Sequence, residues 1–349
     1  MNHPARFTAE GSVPLINCEG TAFTCGEQLG IAWQHALRKN AGRAKGRWTP
    51  WWWKGRGGVV ADLVETIAPH LVDIHRGLAK GAGIAEELCA PSPITQPLED
   101  CTSFAVHQDQ TLDGHAITGQ TKDTGQQRTS FYQVVRLRPT DAPGFLTLTY
   151  PGELFGYGFG STGMSLFRNA LYVTPQRPGG VLPLDAFGLL ALFSHTLEDV
   201  IEMARRHGVR TVAHSVAADA SGRVVGLEMC QGETEIIKGR DGLYAHANHT
   251  VSPRFQSLES DTDAATQRAG ASEHRQRRLY ELLEQDRGRL TPQLMLRHLS
   301  DHANHPLSIC CHRDRDYHTT AAVVAEPGRG LLHVTRGPPC QNWPVTYRL

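Results

Sequence analysis

The run Asp100-Cys101-Thr102-Ser103-Phe104-Ala105-Val106-His107 leads to a turn at Asp113-Gly114 and returns through His115-Ala116-Ile117-Thr118-Gly119. Strand-forming residues on both sides of an Asp-Gly pair predict a hairpin. Strands that arrive in hairpins need no crossover helix, so this stretch argues for antiparallel sheet and against a doubly wound parallel one. The pattern repeats downstream. Phe131 to Arg138 and Phe145 to Tyr150 alternate as strands; Arg210 to Ala217 and Arg223 to Met229 flank a turn at Asp219-Ala220-Ser221-Gly222; Thr319 to Ala325 precedes Leu331 to Thr335. The glycine-rich passage from Gly152 to Gly163 reads as an interruption of the strand pattern.

Helices surround these hairpins. Good helix formers run from Cys25 to Arg47, with basic residues towards the far end, where the helix dipole favours them. Val59, Val60, Leu63, Ile67, Leu71, Ile74 and Leu78 recur at three-to-four spacing, predicting one amphipathic helix that runs past Pro69 and closes at Gly81 and Gly83. Leu184 to Phe193 and Leu197 to Arg206 follow. Thr196 and Asp199 have capping-box spacing and Gly208 supplies the stop. Ser272 to Leu283 and the segment opened by Thr291-Pro292 complete the set. Trp51-Trp52-Trp53 reads as a loop, and Pro91, Pro93 and Pro97 make Ala90 to Glu99 a linker. The expected class is α+β, with two mostly antiparallel sheets stacked between helical layers.

The chain has 349 residues, 35 Lys plus Arg against 35 Asp plus Glu, and 40% hydrophobic residues. No apolar run approaches the ~20 residues of a membrane span, so a spanning role is excluded. Zero formal charge without a dense basic block removes the usual footprint of nucleic-acid binding. A small-molecule partner is expected. Eight cysteines are scattered along a long chain, and Met1-Asn2-His3-Pro4-Ala5-Arg6 leads into no apolar stretch of signal-peptide length. These features predict a cytoplasmic protein with mostly free thiols.

No nucleophile elbow, phosphate loop, H-E-x-x-H or C-x-x-C occurs, and no G-x-G-x-x-G follows a strand. The richest metal-like group is His298, His302, His305, Cys310, Cys311 and His312. It lacks a recognisable ligand spacing, so polar histidines are preferred over zinc and no metal or cofactor is assigned.

Cys101 stands where the proline-rich linker meets the first strand. A cut before it would place a thiol and an α-amine on one residue, a nucleophile beside its own base. The amine's ordinary pKa of about 7.7–8.0 leaves an appreciable fraction able to accept the thiol proton near neutrality. Alone, such a cysteine reads more readily as a buried apolar filler than as a nucleophile.

The run Asp100 to Val106 and the stretch Gly119-Gln120-Thr121-Lys122-Asp123 resemble the acyl-coenzyme A:6-aminopenicillanic acid acyltransferase family of N-terminal-nucleophile hydrolases. So do Gly26-Glu27-Gln28-Leu29-Gly30, Ala247-Asn248-His249, Arg275 to Leu279, Ser308-Ile309-Cys310, Thr320 to Val324 and Gly337-Pro338-Pro339-Cys340.

The resemblance implies a four-layer αββα sandwich in one domain, residues 1–349, that cuts itself between Asp100 and Cys101 into an α chain of 1–100 and a β chain of 101–349. It implies Cys101 as the nucleophile that carries the acyl group as a thioester, and Asn248 as an oxyanion-hole amide. Asp123 would orient the α-amine or pair with an arginine; Arg313 and Arg315 lie in a matching segment. Thr102 and Ser103 would offer hydroxyls to the amine or to the scissile carbonyl, or serve only as strand residues. A small amide or an acyl-CoA is the implied substrate, within a range covering phenylacetyl-type penicillins, β-alanyl amines and N-acyl amino acids. The alternatives are an uncut, silent or metal-binding protein on the same scaffold, and a cysteine–histidine hydrolase using a base such as His249.

Overall fold

The computed structural model describes residues 12–44, 58–89, 100–173, 177, 179–259, 263–314 and 316–349. The Trp51-Trp52-Trp53 run, Arg315 and the linker from Ala90 to Glu99 lie outside them.

The alternating stretches build two sheets. The larger has the strand order β1 (Leu15–Gly20), β4 (Gln133–Pro139), β5 (Phe145–Thr149), β6 (Tyr157–Gly160), β7 (Ser165–Asn169), β8 (Ala213–Ala218), β9 (Val224–Cys230) and β10 (Glu233–Ile237). The smaller runs β11 (Leu243–His246), β2 (Ser103–Val106), β3 (Ile117–Gly125), β12 (Tyr317–Glu326), β13 (Leu331–Arg336) and β14 (Val345–Arg348). Every adjacent pair is antiparallel except β1 with β4. The Asp113-Gly114 hairpin forms as expected, with Ser103 opposite Gln120 and Val106 opposite Ile117.

Three cores separate four layers. Leu29, Ile74, Leu78, Phe187 and Leu190 pack against Val135, Leu137 and Leu227 of the larger sheet. These helical residues lie on α1 (Ala22–Ala32), α4 (Leu71–Ala82) and α5 (Leu184–Phe193). In the same layer are α2 (Gln34–Ala44), α3 (Val59–Ile67) and α6 (Leu197–His207). Ala105, Val134, Phe159, Phe167, Tyr244 and Val323 fill the space between the sheets. After the short α7 (Pro253–Gln256), α8 (Asp263–Gln285) and α9 (Pro292–His298) cover the smaller sheet. They press Leu279, Leu283 and Met295 onto Phe104, Val106 and Val324. The period-two geometry of a strand therefore sends Ala105 to one core and its neighbours Phe104 and Val106 to another. This is the αββα sandwich.

Several local expectations change. The helix expected to run past Pro69 is two, α3 and α4, separated by Ala68-Pro69-His70, because proline cannot supply the next backbone N–H. Gly83, left-handed at φ 64°, ends the second, whereas Gly81 lies inside it. The helix expected over Cys25 to Arg47 is likewise divided, at the buried Trp33, whose indole donates to Gln133 Oε1 at 2.7 Å. The glycine-rich passage contains β6. A Cβ on Gly158 would sit 2.1 Å from the Leu146 carbonyl oxygen, so these glycines let the strand approach its neighbour and do not mark a loop. The glycines of the Gly26 to Gly30 motif act similarly: a Cβ on Gly26 would lie 2.1 Å from the Ile74 carbonyl, across the α1–α4 contact. The Thr196/Asp199 capping box and the Thr291 cap both form. All eight cysteines are free thiols. Among the described residues, no helix is long and apolar enough to cross a membrane.

Candidate active site

Asp100 and Cys101 lead into β2 at the end of the smaller sheet, and backbone pairing fixes them before any side chain acts. Asp100 forms a two-way bridge with Asp123 of β3: the Asp123 N–H donates to the Asp100 carbonyl at 2.8 Å, and the Asp100 N–H donates back at 3.1 Å. The Asp100 N–H also reaches the Tyr317 hydroxyl at 2.8 Å. One residue on, the Cys101 N–H donates to Asn248 Oδ1 at 3.0 Å, and Arg275 Nη1 donates to the Cys101 carbonyl at 2.8 Å. The peptide bond between Asp100 and Cys101 is thus gripped from both sides.

Arg275, from α8, organises this grip. Its guanidinium also reaches Thr102 Oγ1 and Asn248 Oδ1, each at 3.0 Å. It lies 3.8 Å from Asp123 and 3.9 Å from Asp100, a single cation between two carboxylates. A guanidinium can only donate, so its contact establishes that Asn248 turns its oxygen, not its NH₂, towards Cys101. The Asn248 NH₂ donates to the Ala170 carbonyl at 2.9 Å. Thr319 donates its hydroxyl to Asp123 at 2.6 Å. Burial pushes the Asp123 carboxyl up to about 7, Arg275 and Thr319 oppose that shift, and Asp100 reinforces it. Burial, with Asp100 and Asp123 close by, also raises the Tyr317 hydroxyl, which keeps its proton.

The thiol of Cys101 is buried and faces Lys122 Nζ at 3.7 Å. Lys122 is itself buried and donates to the Tyr157 hydroxyl at 2.6 Å, with its ammonium 4.3 Å from that ring's centroid. Arg168 Nε reaches the same hydroxyl at 3.3 Å and pairs with Asp185 at 3.2 Å. Tyr157 and Arg168 come from β6 and β7, so the larger sheet supplies the wall facing the sulfur.

Asp100, Cys101, Thr102, Asp123 and Asn248 are therefore together around Arg275. Ser103 points elsewhere, donating to Asn169 Oδ1 at 2.6 Å. His249 Nδ1 lies 2.8 Å from Ser272 Oγ, and burial pulls its pKa down to about 4. Arg313 sits over the Tyr317 ring at 5.8 Å. Lys122, Tyr157, Arg168 and Tyr317 carry no role in the sequence reading. Of the metal-like group, His302, Cys310 and His312 come together, joined by Cys340. His298 instead faces Asp286 at 3.2 Å, and the Cys311 N–H donates to Thr319 Oγ1 at 2.8 Å.

The sequence model of the acyl-coenzyme A:6-aminopenicillanic acid acyl-transferase family matches residues 111–332. The chain belongs to this family. Membership in an acyltransferase family supports an enzyme of acyl-transfer type. Asp123, Asn248 and Arg275 lie within the matched span, and Cys101 just before it. Among solved structures, a mutant of conjugated bile acid hydrolase from Clostridium perfringens is similar at 12% identity and TM-score 0.46, over 71% of this chain and 97% of its own. Penicillin V acylase from Agrobacterium tumefaciens is similar at 14% identity and TM-score 0.42, over 67% of this chain and 82% of its own. No curated protein matches the sequence.

Proposed function

We propose that the chain is a self-processing cysteine amidohydrolase or acyltransferase, cut between Asp100 and Cys101 and carrying the acyl group of a small amide or acyl-CoA as a thioester on Cys101. The observation behind this reading is the double grip on the Asp100–Cys101 peptide. The Asp123 N–H polarises the Asp100 carbonyl and is placed to receive charge on that oxygen, while Asn248 and Arg275 hold the cysteine's own backbone.

In processing, Cys101 Sγ attacks the Asp100 carbonyl carbon, the C–N bond breaks, and the departing nitrogen takes the thiol proton to become the α-amine. Water then hydrolyses the Asp100 thioester, leaving a carboxylate on Asp100 and a free thiol on Cys101. Asn248 Oδ1, which accepts from the Cys101 N–H, is the acceptor that would orient the new amine. In turnover the amine takes the thiol proton as sulfur attacks the substrate carbonyl and returns a proton to the leaving amine or thiol. The buried Lys122 ammonium puts positive charge beside the sulfur, a partner for thiolate. Water or a second amine releases the acyl group. The two chains of 1–100 and 101–349 would remain one domain, because β1 pairs with β4 and α1 and α4 pack on the sheet. Thr102 holds Arg275 in this scheme. The enzyme needs no cofactor, nucleic acid or membrane, and the cytoplasm is its proposed location.

Intact-mass analysis of fresh protein tests the reading. Wild type should give two chains, the larger beginning at Cys101, and Cys101→Ala should stay whole. A panel of amides should then yield an acyl adduct on Cys101 that hydroxylamine removes. An uncut wild type with an unreactive Cys101 would overturn the proposal. Activity in an uncut chain that disappears in folded His249→Ala would favour a histidine base.

A further inference from the structure

Away from Cys101, four donor atoms lie close together. His302, Cys310, His312 and Cys340 each present one ligand atom, all within 4.8 Å of one another. We propose that these four residues bind one zinc ion in a closed, tetrahedral, structural site.

The spacings carry the argument. With Zn–S of about 2.3 Å and Zn–N of about 2.05 Å, a tetrahedron has edges of about 3.8 Å between sulfurs, 3.6 Å between sulfur and nitrogen, and 3.4 Å between nitrogens. Cys310 Sγ and Cys340 Sγ are 3.6 Å apart. His312 Nε2 is 3.4 Å from Cys310 Sγ and 3.3 Å from Cys340 Sγ. The His302 and His312 Nε2 atoms are 3.2 Å apart. These four of the six edges follow the tetrahedral order, each slightly short; the other two, from His302 to the two sulfurs, fall within the 4.8 Å spread of the group. A disulfide needs sulfurs about 2.05 Å apart, and both thiols are free.

Donor chemistry selects the ion. Two thiols and two imidazoles are a zinc set, while the set has no oxygen donor for calcium or magnesium. Binding replaces two thiol protons, so Zn²⁺ plus two thiols and two neutral imidazoles gives an uncharged complex and two released protons. That neutrality suits a cluster whose Cys310 is buried and whose His302 and Cys340 are exposed. His305 packs beside it, 6.1 Å from the His312 ring and 6.5 Å from the His302 ring.

The four protein ligands leave no open position for substrate, which marks a structural site. The ion would tie the segment 302–312 to Cys340, beyond β13. That clip ends one residue from Cys311, whose N–H holds the Thr319 hydroxyl that in turn holds Asp123. The proposal depends on no step of the Cys101 chemistry.

Metal content of the full chain, grown without added zinc and dialysed, is the first test. About one zinc per chain is expected, and Co²⁺ exchanged into the site should show thiolate-to-metal charge-transfer absorption. Cys340→Ser and His302→Ala should weaken zinc binding by more than the roughly 10–100-fold that loss of an outer-shell partner costs. Should a variant misfold, wild type alone decides through alkylation: Cys340 should resist iodoacetamide in the zinc-loaded protein and become at least about tenfold more reactive after chelation. No zinc uptake by the refilled wild type, zinc binding undiminished in folded Cys340→Ser, or a native mass showing a Cys310–Cys340 disulfide would each overturn the site.

Discussion

Cys101 and Cys310 are both buried thiols, yet their surroundings have opposite chemistry. Around Cys101 stand an ammonium, a guanidinium, an amide and two carboxylates, and the neighbouring peptide bond is held on each side. Around Cys310 stand a second thiol and two imidazoles, their donor atoms within 4.8 Å of one another. In the roles proposed above, the first setting suits attack on a carbonyl carbon and the second suits a bound cation. Burial alone therefore does not distinguish an inert cysteine from a working one, and the neighbours must be read.

The largest expected effect separates the two. Cys101→Ala should abolish chain cleavage and turnover in mass and activity assays while leaving zinc content at wild-type level; loss of zinc in a folded Cys101→Ala would break the contrast. Next comes Arg275→Lys. An ammonium cannot reproduce the fork that joins Cys101, Thr102 and Asn248, and losing one charge-assisted bond of about 1.5–3 kcal/mol should slow processing about 10- to 150-fold. Zinc should stabilise the fold: at a free concentration a hundred times its Kd the gain is about 2.7 kcal/mol, readable as a denaturation midpoint that falls on chelation in wild type and in Cys101→Ala alike.

A pH series sharpens the charged side of the contrast. Asp123 has an ordinary value of 3.8 and is pushed up to about 7 by burial in the folded chain. Between those values the folded state binds more protons than the unfolded one, so the contribution of Asp123 to stability is present below pH 3.8 and is lost as pH rises through about 7. Asp123→Asn should flatten that decline in melting temperature. The smallest effect is a control far from both cysteines: Thr196→Ala, which breaks the capping box, should cost about 1 kcal/mol by denaturation and change neither processing nor zinc content.

Much of the fold is legible because its signals are local. The Asp113-Gly114 turn and the Thr196/Asp199 box each need only a few adjacent residues. β6 is hidden because its glycines carry no strand propensity, their role being close contact with β5. β1 pairs with the distant β4, so no adjacent turn announces it, and β10 follows β9 across Gln231-Gly232, a two-residue turn at positive φ that lacks the usual Asn or Asp in first place. At the site, Cys101, Asp123 and Asn248 are accessible through motif and chemistry. Lys122 is not, since a lysine in a strand reads as solvent-facing, and the Tyr157 hydroxyl that accepts from it comes from the other sheet. Cys340 escapes for a similar reason: it meets His312 across a long stretch of chain, where no spacing rule operates.

The place of β1 has a topological consequence. Among the described residues it lies at the rim of the larger sheet beside β4 and is the one strand preceding Asp100. No strand of the later chain has to pass between it and another strand. The described strand before Asp100 is therefore laid alongside the remainder, and a break between Asp100 and Cys101 would leave its pairing with β4 in place. Separately made pieces should assemble for the same reason.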